Sequence, residues 1–383
     1  MSTHSREVRA RAWMEVDLDA LVRNARRLAG GAPSTTLLPM VKADAYGLGA
    51  VRVARALSRL NPYGFGVASA EEARELREAG IDGRVVVFFP WVEAETAAML
   101  ELGLDAAVLG IDSLERLDAA LGRDGGRLDI HLEIDTGIGR AGLDASAART
   151  WAPRVGEVLG QGRLRLASVF THFFSGEDAE ASRSQLERFE RALAALRHAG
   201  VEPPLTHVAN SDAAMSDPQY HSALVRPGIY LYGGRRGTDI PAAVEDPESV
   251  VRVRARALEV RELPAGATVG YGATYATRAK ERIATLGIGY ANGVPWRLSN
   301  RGQVIVGGVR APIRGSVCMD VVAVDVSGVP GVEAGTIVTA LGREGDEEIE
   351  LREWAEGSGT IEYDVLTGLG RGLKKVYLEA EET

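Results

Sequence analysis

The chain has 383 residues, a formal net charge of −9 and one cysteine, Cys318. That length exceeds what one small core sustains, so two domains are expected. The acidic balance argues against nucleic acid and anionic membrane surfaces as partners, and the single cysteine excludes an intrachain disulfide. The opening MSTHSREVRARAWMEV has no apolar core of signal-peptide length, and no stretch approaches the roughly 20 apolar residues of a membrane helix. A soluble, cytoplasmic protein is expected.

Short β-rich runs at 36–42, 63–68, 84–89, 105–109, 128–134, 165–171, 205–208 and 223–226 alternate with amphipathic stretches. Ser69 begins Ser-Ala-Glu-Glu, a capping box with Glu72, and Gly80 closes that helix. Asp112 and Glu115 repeat the pattern ahead of Gly122, and a helix over 180–199 stops before Gly200. Eight strands, each followed by a helix or turn, predict an α/β unit of the (β/α)8 (TIM) barrel type. An open doubly wound sheet is the alternative, but no G-x-G-x-x-G follows the first strand.

The pattern changes after about residue 240. VRVRARALEV at 251–260 alternates with period two, and β-branched runs at 283–289, 303–326 and 335–341 are broken by glycine and proline. One short helix fits near 350–357. The expected organisation is a barrel over 12–240 and a mostly β domain over 241–383, with residues 1–11 joining the latter and 238–249 as linker.

In a barrel, chemistry sits at the carboxyl ends of the strands. The first run ends at Lys42, followed by Tyr46. In an apolar mouth a lysine ammonium is desolvated and its pKa falls, the preparation needed for a Schiff base with a carbonyl cofactor such as pyridoxal phosphate (PLP). The alternative is a strand-end lysine bent out to water. The fifth run leads into Asp135-Thr136-Gly137-Ile138-Gly139-Arg140, the sixth into Thr171-His172, the seventh into His207-Val208-Ala209-Asn210-Ser211, and the eighth into Arg226-Pro227-Gly228-Ile229. Ser211 and the Gly228-Ile229 backbone follow strands seven and eight, the usual phosphate site of such barrels.

These segments resemble the bacterial alanine racemases, fold-type III PLP enzymes. The resemblance runs from Trp13 to Tyr363 through VKADAYG (41–47), IDTGIGRAG (134–142), THF (171–173), HVANS (207–211), VRPGIYLYG (225–233), GYGATY (270–275), GYANG (289–293), SVCMD (316–320) and IEYD (361–364), in order. It implies racemisation of a small amino acid, alanine above all, in a homodimer with shared active sites, supplying D-alanine for peptidoglycan. Lys42 would carry the cofactor and act as base on one substrate face, and Tyr271 of the second subunit on the other. Arg140 would bond the cofactor's phenolic oxygen and, with the backbone N–H of the partner's Met319, hold the substrate carboxylate. Tyr46, Ser211, Gly228, Ile229 and Tyr363 would hold the phosphate, with Asn210 beside them. Arg226, supported by His207, would face the pyridine nitrogen, and His172 would lie near the ring and couple to Tyr271. Asp320 would be a supporting residue. No metal is implied.

Two bases on opposite faces let a proton leave one side of a carbon and return on the other. Tyrosine has a reference pKa near 10, so Tyr271 needs positive charge nearby, with Arg226 acting through His172 as the candidate. An arginine at the ring nitrogen cannot give up its proton, so that nitrogen stays unprotonated and the ring is a shallower electron sink.

The chain departs from the family at several positions. Glu133 stands where a lysine, carbamylated in many relatives, is usual, and is expected to pair with Arg140 directly. Asn292, Trp296, Ser316 and Leu48 replace more polar or charged residues, and all four are expected to line a less charged, more aromatic substrate channel. Serine or a bulkier substrate is therefore an alternative to alanine. A related PLP decarboxylase or a non-catalytic PLP carrier fits less well, the first because of Arg226 and the second because Tyr271 and the second domain are present.

Overall fold

The computed structural model describes residues 9–30, 35–235 and 244–379. The expected boundary at residue 240 and the first half of the expected linker lie outside them.

The chain enters on β1 (Ala12–Asp17) and turns into α1 (Leu18–Gly30), where Asp17 accepts the Ala20 N–H as a cap. The barrel staves follow: β2 (Thr36–Leu37), β3 (Phe65–Val67), β4 (Val85–Val87), β5 (Asp105–Val108), β6 (Leu128–Asp135), the short β7 (Leu143–Asp144) beside β6, β8 (Leu164–Phe170), β9 (Thr206–His207) and β10 (Leu224–Val225). From β3 through β6 to β8 and β9 every neighbour pair is parallel, and β10 pairs in parallel with β2. The ring closes through a Met40–Gly66 bridge and an Arg226 N–H donated to the Ala209 carbonyl at 3.0 Å. All eight expected staves are present, most of them shorter than their apolar runs.

Between them lie α2 (Ala50–Ser58), α3 (Ala70–Glu78), α4 (Thr96–Glu101), α5 (Ile111–Asp124), α6 (Ala148–Leu159), α7 (Ala179–His198) and α8 (Ser211–Ser216). Two capping expectations change. Ser69 accepts the Glu72 N–H as expected, but the Glu72 carboxylate does not return to Ser69. It accepts from Ala68 N at 2.7 Å and from Ala43 N at 2.8 Å. α5 starts after Gly110 without a side-chain cap, and it runs past Gly122 to the left-handed Gly125.

The second domain is built on β11 (Val251–Leu263), followed by β12 (Thr268–Val269), β13 (Tyr275–Ala276), β14 (Glu281–Leu286), β15 (Gln303–Val306), β16 (Val309–Pro312), β17 (Val322–Asp325), β18 (Ile337–Glu344), β19 (Glu347–Ile349) and β20 (Lys374–Leu378). Two helices interrupt it: α9 (Leu351–Ser358), near the expected 350–357, and α10 (Glu362–Gly372), which sequence periodicity did not reveal. The barrel unit does not begin at residue 12. β1 sits between β11 and β20, antiparallel to one and parallel to the other, with Trp13, Met14 and Val16 fully buried. The alternation of β1 alone could not reveal partners some 240 and 360 residues away. No helix among the described residues is long and apolar enough to cross a membrane.

Candidate active site at the carboxyl ends of the barrel strands

Lys42 does not end a strand. It opens a left-handed turn in which Ala43, Asp44 and Ala45 have φ of 53° and Tyr46 of 57°. For L-residues this handedness costs roughly 1–2 kcal/mol each, so the turn needs outside support. Glu72 holds the Ala43 N–H, and Asp44 accepts from Ala50 N at 2.8 Å and pairs with Lys375 at 2.9 Å. Gly47 ends the turn at φ 90°, where a Cβ would stand 2.9 Å from the Gly370 Cα of α10. The second domain thus clamps the segment that presents Lys42.

Lys42 opens into a cavity of about 610 Å³ at the carboxyl end of the barrel, shared with Tyr46, Glu133, Arg140, His172, Asn210, Ser211, Arg226, Gly228, Ile229 and Tyr363. Every barrel-side residue expected at the site is there except His207, which lies just beneath. Burial, reinforced by Arg140, lowers the Lys42 pKa. Its ammonium lies 5.1 Å from the centre of the Phe89 ring. Phe89 follows β4, a strand-end position the sequence reading passed over.

At one end of the cavity, the Ser211 hydroxyl accepts from Gly228 N at 2.9 Å and Tyr230 N at 3.4 Å. A Cβ on residue 228 would fall 2.3 Å from the Tyr46 hydroxyl, so only glycine leaves this pocket open. Tyr46 packs in tilted contact against Tyr232 and Tyr363, at 4.7 and 5.8 Å between ring centres. Asn210 lines the cavity and also has a task in the fold. Its side chain caps α8, accepting from Ala213 N at 3.0 Å and donating to the Phe173 carbonyl at 3.3 Å, which fixes Ser211.

At the other end, Arg226 is fully enclosed. It donates to His207 Nδ1 at 2.6 Å and to the Thr171 and Val208 carbonyls at 2.8 and 3.2 Å, and its Nη2 faces His172 Nδ1 at 3.4 Å. Burial lowers its pKa to about 10, which still leaves it charged at neutral pH. Burial and that adjacent charge push His207 and His172 well below the usual histidine range, so both are neutral. Glu133 pairs with Arg140 at 3.7 Å, longer than a hydrogen bond, and its Oε1 is buried with no hydrogen-bond partner. Burial raises the Glu133 pKa, and Arg140 and Arg226 offset part of that rise.

The residues expected from the second subunit lie elsewhere. Tyr271 is 78 % exposed, Met319 is 53 % exposed, and Asp320 is exposed beside it. None lines the cavity of its own chain. The Tyr271 and Met319 segments adjoin: Ser316 donates to the Tyr271 carbonyl at 3.0 Å, and Tyr290 and Ala291 N–H groups hold the Cys318 and Met319 carbonyls. Of the four expected channel substitutions, Trp296 is exposed and Ser316 partly so. Leu48 is fully buried and belongs to the core. Asn292 is occupied in bonds to Gly289 N and the Gly372 carbonyl.

A family model for the N-terminal domain of alanine racemase matches residues 16–236, and one for the C-terminal domain matches 250–377. The alanine racemase of Carboxydothermus hydrogenoformans is 38 % identical, over 96 % of this chain and 99 % of that protein. Among solved structures, the alanine racemase of D-cycloserine-producing Streptomyces lavendulae superposes with a TM-score of 0.91 at 32 % identity, covering 98 % of each chain. The alanine racemase of Bartonella henselae, solved with covalently bound pyridoxal phosphate, gives a TM-score of 0.86 at 29 % identity over 96 % of this chain and 100 % of that one.

Proposed function

We propose roles for individual residues on the premise that this chain belongs to the alanine racemase family and carries out that family's PLP-dependent racemisation of alanine. The observation that carries the reading is the cavity itself. A desolvated lysine, a glycine-lined anion pocket and a buried arginine surround one space of cofactor size. These groups fit PLP. Lys42 would bind it covalently, and Ser211, the Gly228 and Ile229 N–H groups, Tyr46 and Tyr363 would take its phosphate. Arg226 would meet the ring nitrogen, with His172 beside the ring, and Arg140 would meet the phenolic oxygen. Once bound, PLP delocalises the negative charge left at the substrate α-carbon.

Lys42 Nζ, freed once the substrate amine takes over its bond to the cofactor, would take the α-proton on one face, and the partner's Tyr271 hydroxyl would return one on the other. Arg140 and the partner's Met319 N–H orient the substrate carboxylate. Arg226 keeps its proton, so it would offer the ring nitrogen a hydrogen bond without protonating it. Glu133 steadies Arg140 as a fixed anion, without a modified lysine. The exposure of Tyr271 and Met319, and their absence from their own chain's cavity, support a homodimer in which each subunit completes the other's site.

Circular dichroism tests the activity: with purified protein and PLP, the signal of L-alanine should decay to zero without release of carbon dioxide. Mixing two inactive variants tests the shared site. Lys42→Ala and Tyr271→Phe, co-expressed, should regain roughly a quarter of parental activity, because half of randomly formed dimers carry one intact site of two. No recovery would refute the shared site.

A further inference from the structure

Arg226 is the first member of a longer chain of contacts that runs through the barrel wall. His207 Nε2 meets Ser168 Oγ at 2.9 Å, Ser168 Oγ meets His131 Nδ1 at 2.6 Å, and His131 Nε2 meets Asp105 Oδ2 at 2.9 Å. Asp105 is on β5, His131 on β6, Ser168 on β8, His207 on β9, and Arg226 follows β10, so the contacts cross five neighbouring staves in order. His131, Ser168 and His207 are wholly buried. Asp105, the first residue of its strand, lies at the amino-terminal end of the barrel, where it also meets Arg84.

The chemistry at the two ends fixes the direction of every proton between them. Arginine only donates, so His207 Nδ1 must accept and its proton sits on Nε2. Ser168 accepts that proton's bond and turns its own hydroxyl to His131 Nδ1, leaving the His131 proton on Nε2, aimed at Asp105. An ionised carboxylate only accepts, so the same assignment follows from the other end. Each buried group is satisfied in one arrangement, and the bonds polarise one another in one sense.

We propose that His207, Ser168, His131 and Asp105 form a one-way hydrogen-bond relay that holds Arg226 in place, and that Asp105 is a positioning residue for the reaction from the opposite end of the barrel. The inference rests on the reading that Arg226 faces the cofactor's ring nitrogen. The relay fixes the His207 lone pair toward the guanidinium and biases Arg226 with a remote negative charge. Arg226 can then donate to the ring nitrogen from one fixed orientation.

Asp105→Asn keeps an oxygen to accept from His131 but removes the charge. It should lower kcat by about tenfold, the scale typical of groups that orient a ligand-holding side chain, with KM within about twofold. It should also displace the absorbance band of bound PLP. Arg84→Gln removes the ion pair at Asp105 while leaving the relay intact, and should keep parental kcat. In long-range proton–nitrogen NMR spectra of histidine-labelled protein, His131 and His207 should both carry their proton on Nε2. In Ser168→Ala, where Arg226 and Asp105 still fix each histidine from its own end, both protons should stay on Nε2 although the link between the two rings is cut. Ser168→Ala also carries the kinetic test if Asp105→Asn does not accumulate as folded protein. A Nδ1-protonated His207 in the parent, unchanged kcat in both variants, or an equal loss in Arg84→Gln would overturn the proposal. The tautomer measurement needs no turnover, so a parent that failed to racemise alanine would sink the functional reading and leave this one separately decided.

Discussion

Glu133 works against the stability of the chain that carries it. Its carboxyl is buried, lacks a full hydrogen-bond complement and has a raised pKa. A raised carboxyl pKa contributes stability below the ordinary value of 4.5 and withdraws it as pH rises through the folded value. Glu133→Gln should therefore melt higher than the parent at neutral and alkaline pH, with the advantage vanishing at about pH 4. Activity should fall because Arg140 loses its anion. Thermal melts across pH beside alanine racemisation rates check both halves, and parental activity in the variant would remove Glu133 from the site. The position was legible only through the family resemblance, which, counted back from Arg140, puts a lysine there in most relatives. The 3.7 Å separation and the orphaned Oε1 were not, because both depend on how the 135–140 loop folds back. Phe89 was missed although it obeys the strand-end rule that found Lys42. Its apolar side chain gave no chemical signal in a list built from polar groups.

The turn after Lys42 is where local reasoning failed most instructively. An apolar run followed by lysine reads as strand, and nothing in Ala-Asp-Ala-Tyr favours left-handed backbone. The conformation is imposed by Glu72 from α3, Lys375 from β20 and the close approach of α10. Ala43→Gly should therefore raise the melting temperature, the reverse of the usual sense. Ala43 is exposed, so little packing is lost, and glycine relieves about 1 kcal/mol of backbone strain. The gain should come with a lower racemisation rate as Lys42 becomes less fixed, and calorimetry with rate measurements on one variant tests the trade. The same competition explains Glu72. Its spacing from Ser69 fits a capping box, but the Ala68 and Ala43 N–H groups claim the carboxylate.

At the scale of the whole molecule, the alternation of eight apolar runs with helices was enough to read a closed barrel, because each parallel stave must bury both faces. Which strands the second sheet would recruit was not readable. Neither was the assembly, which rests on the Tyr271 and Met319 surface and its proposed occupant, a second copy. Substrate choice belongs to this scale too, because of the channel positions Trp296 is exposed, Ser316 and Asn292 are half-buried and Leu48 is buried. With Leu48 and Asn292 committed to the fold, alanine should exceed serine and leucine in kcat/KM, and a comparison of the three measures it. Comparable values for leucine would refute this size preference.

The place of β1 in the second sheet has a consequence for how the protein is made. Its partner β11 begins at Val251, so at about 5–20 residues per second the ribosome takes roughly 10–50 s to supply it. During that interval the newly emerged Trp13, Met14 and Val16 have no sheet to join. A nascent chain stalled after the barrel should therefore engage holdase chaperones through its first strand, and release once translation passes β11.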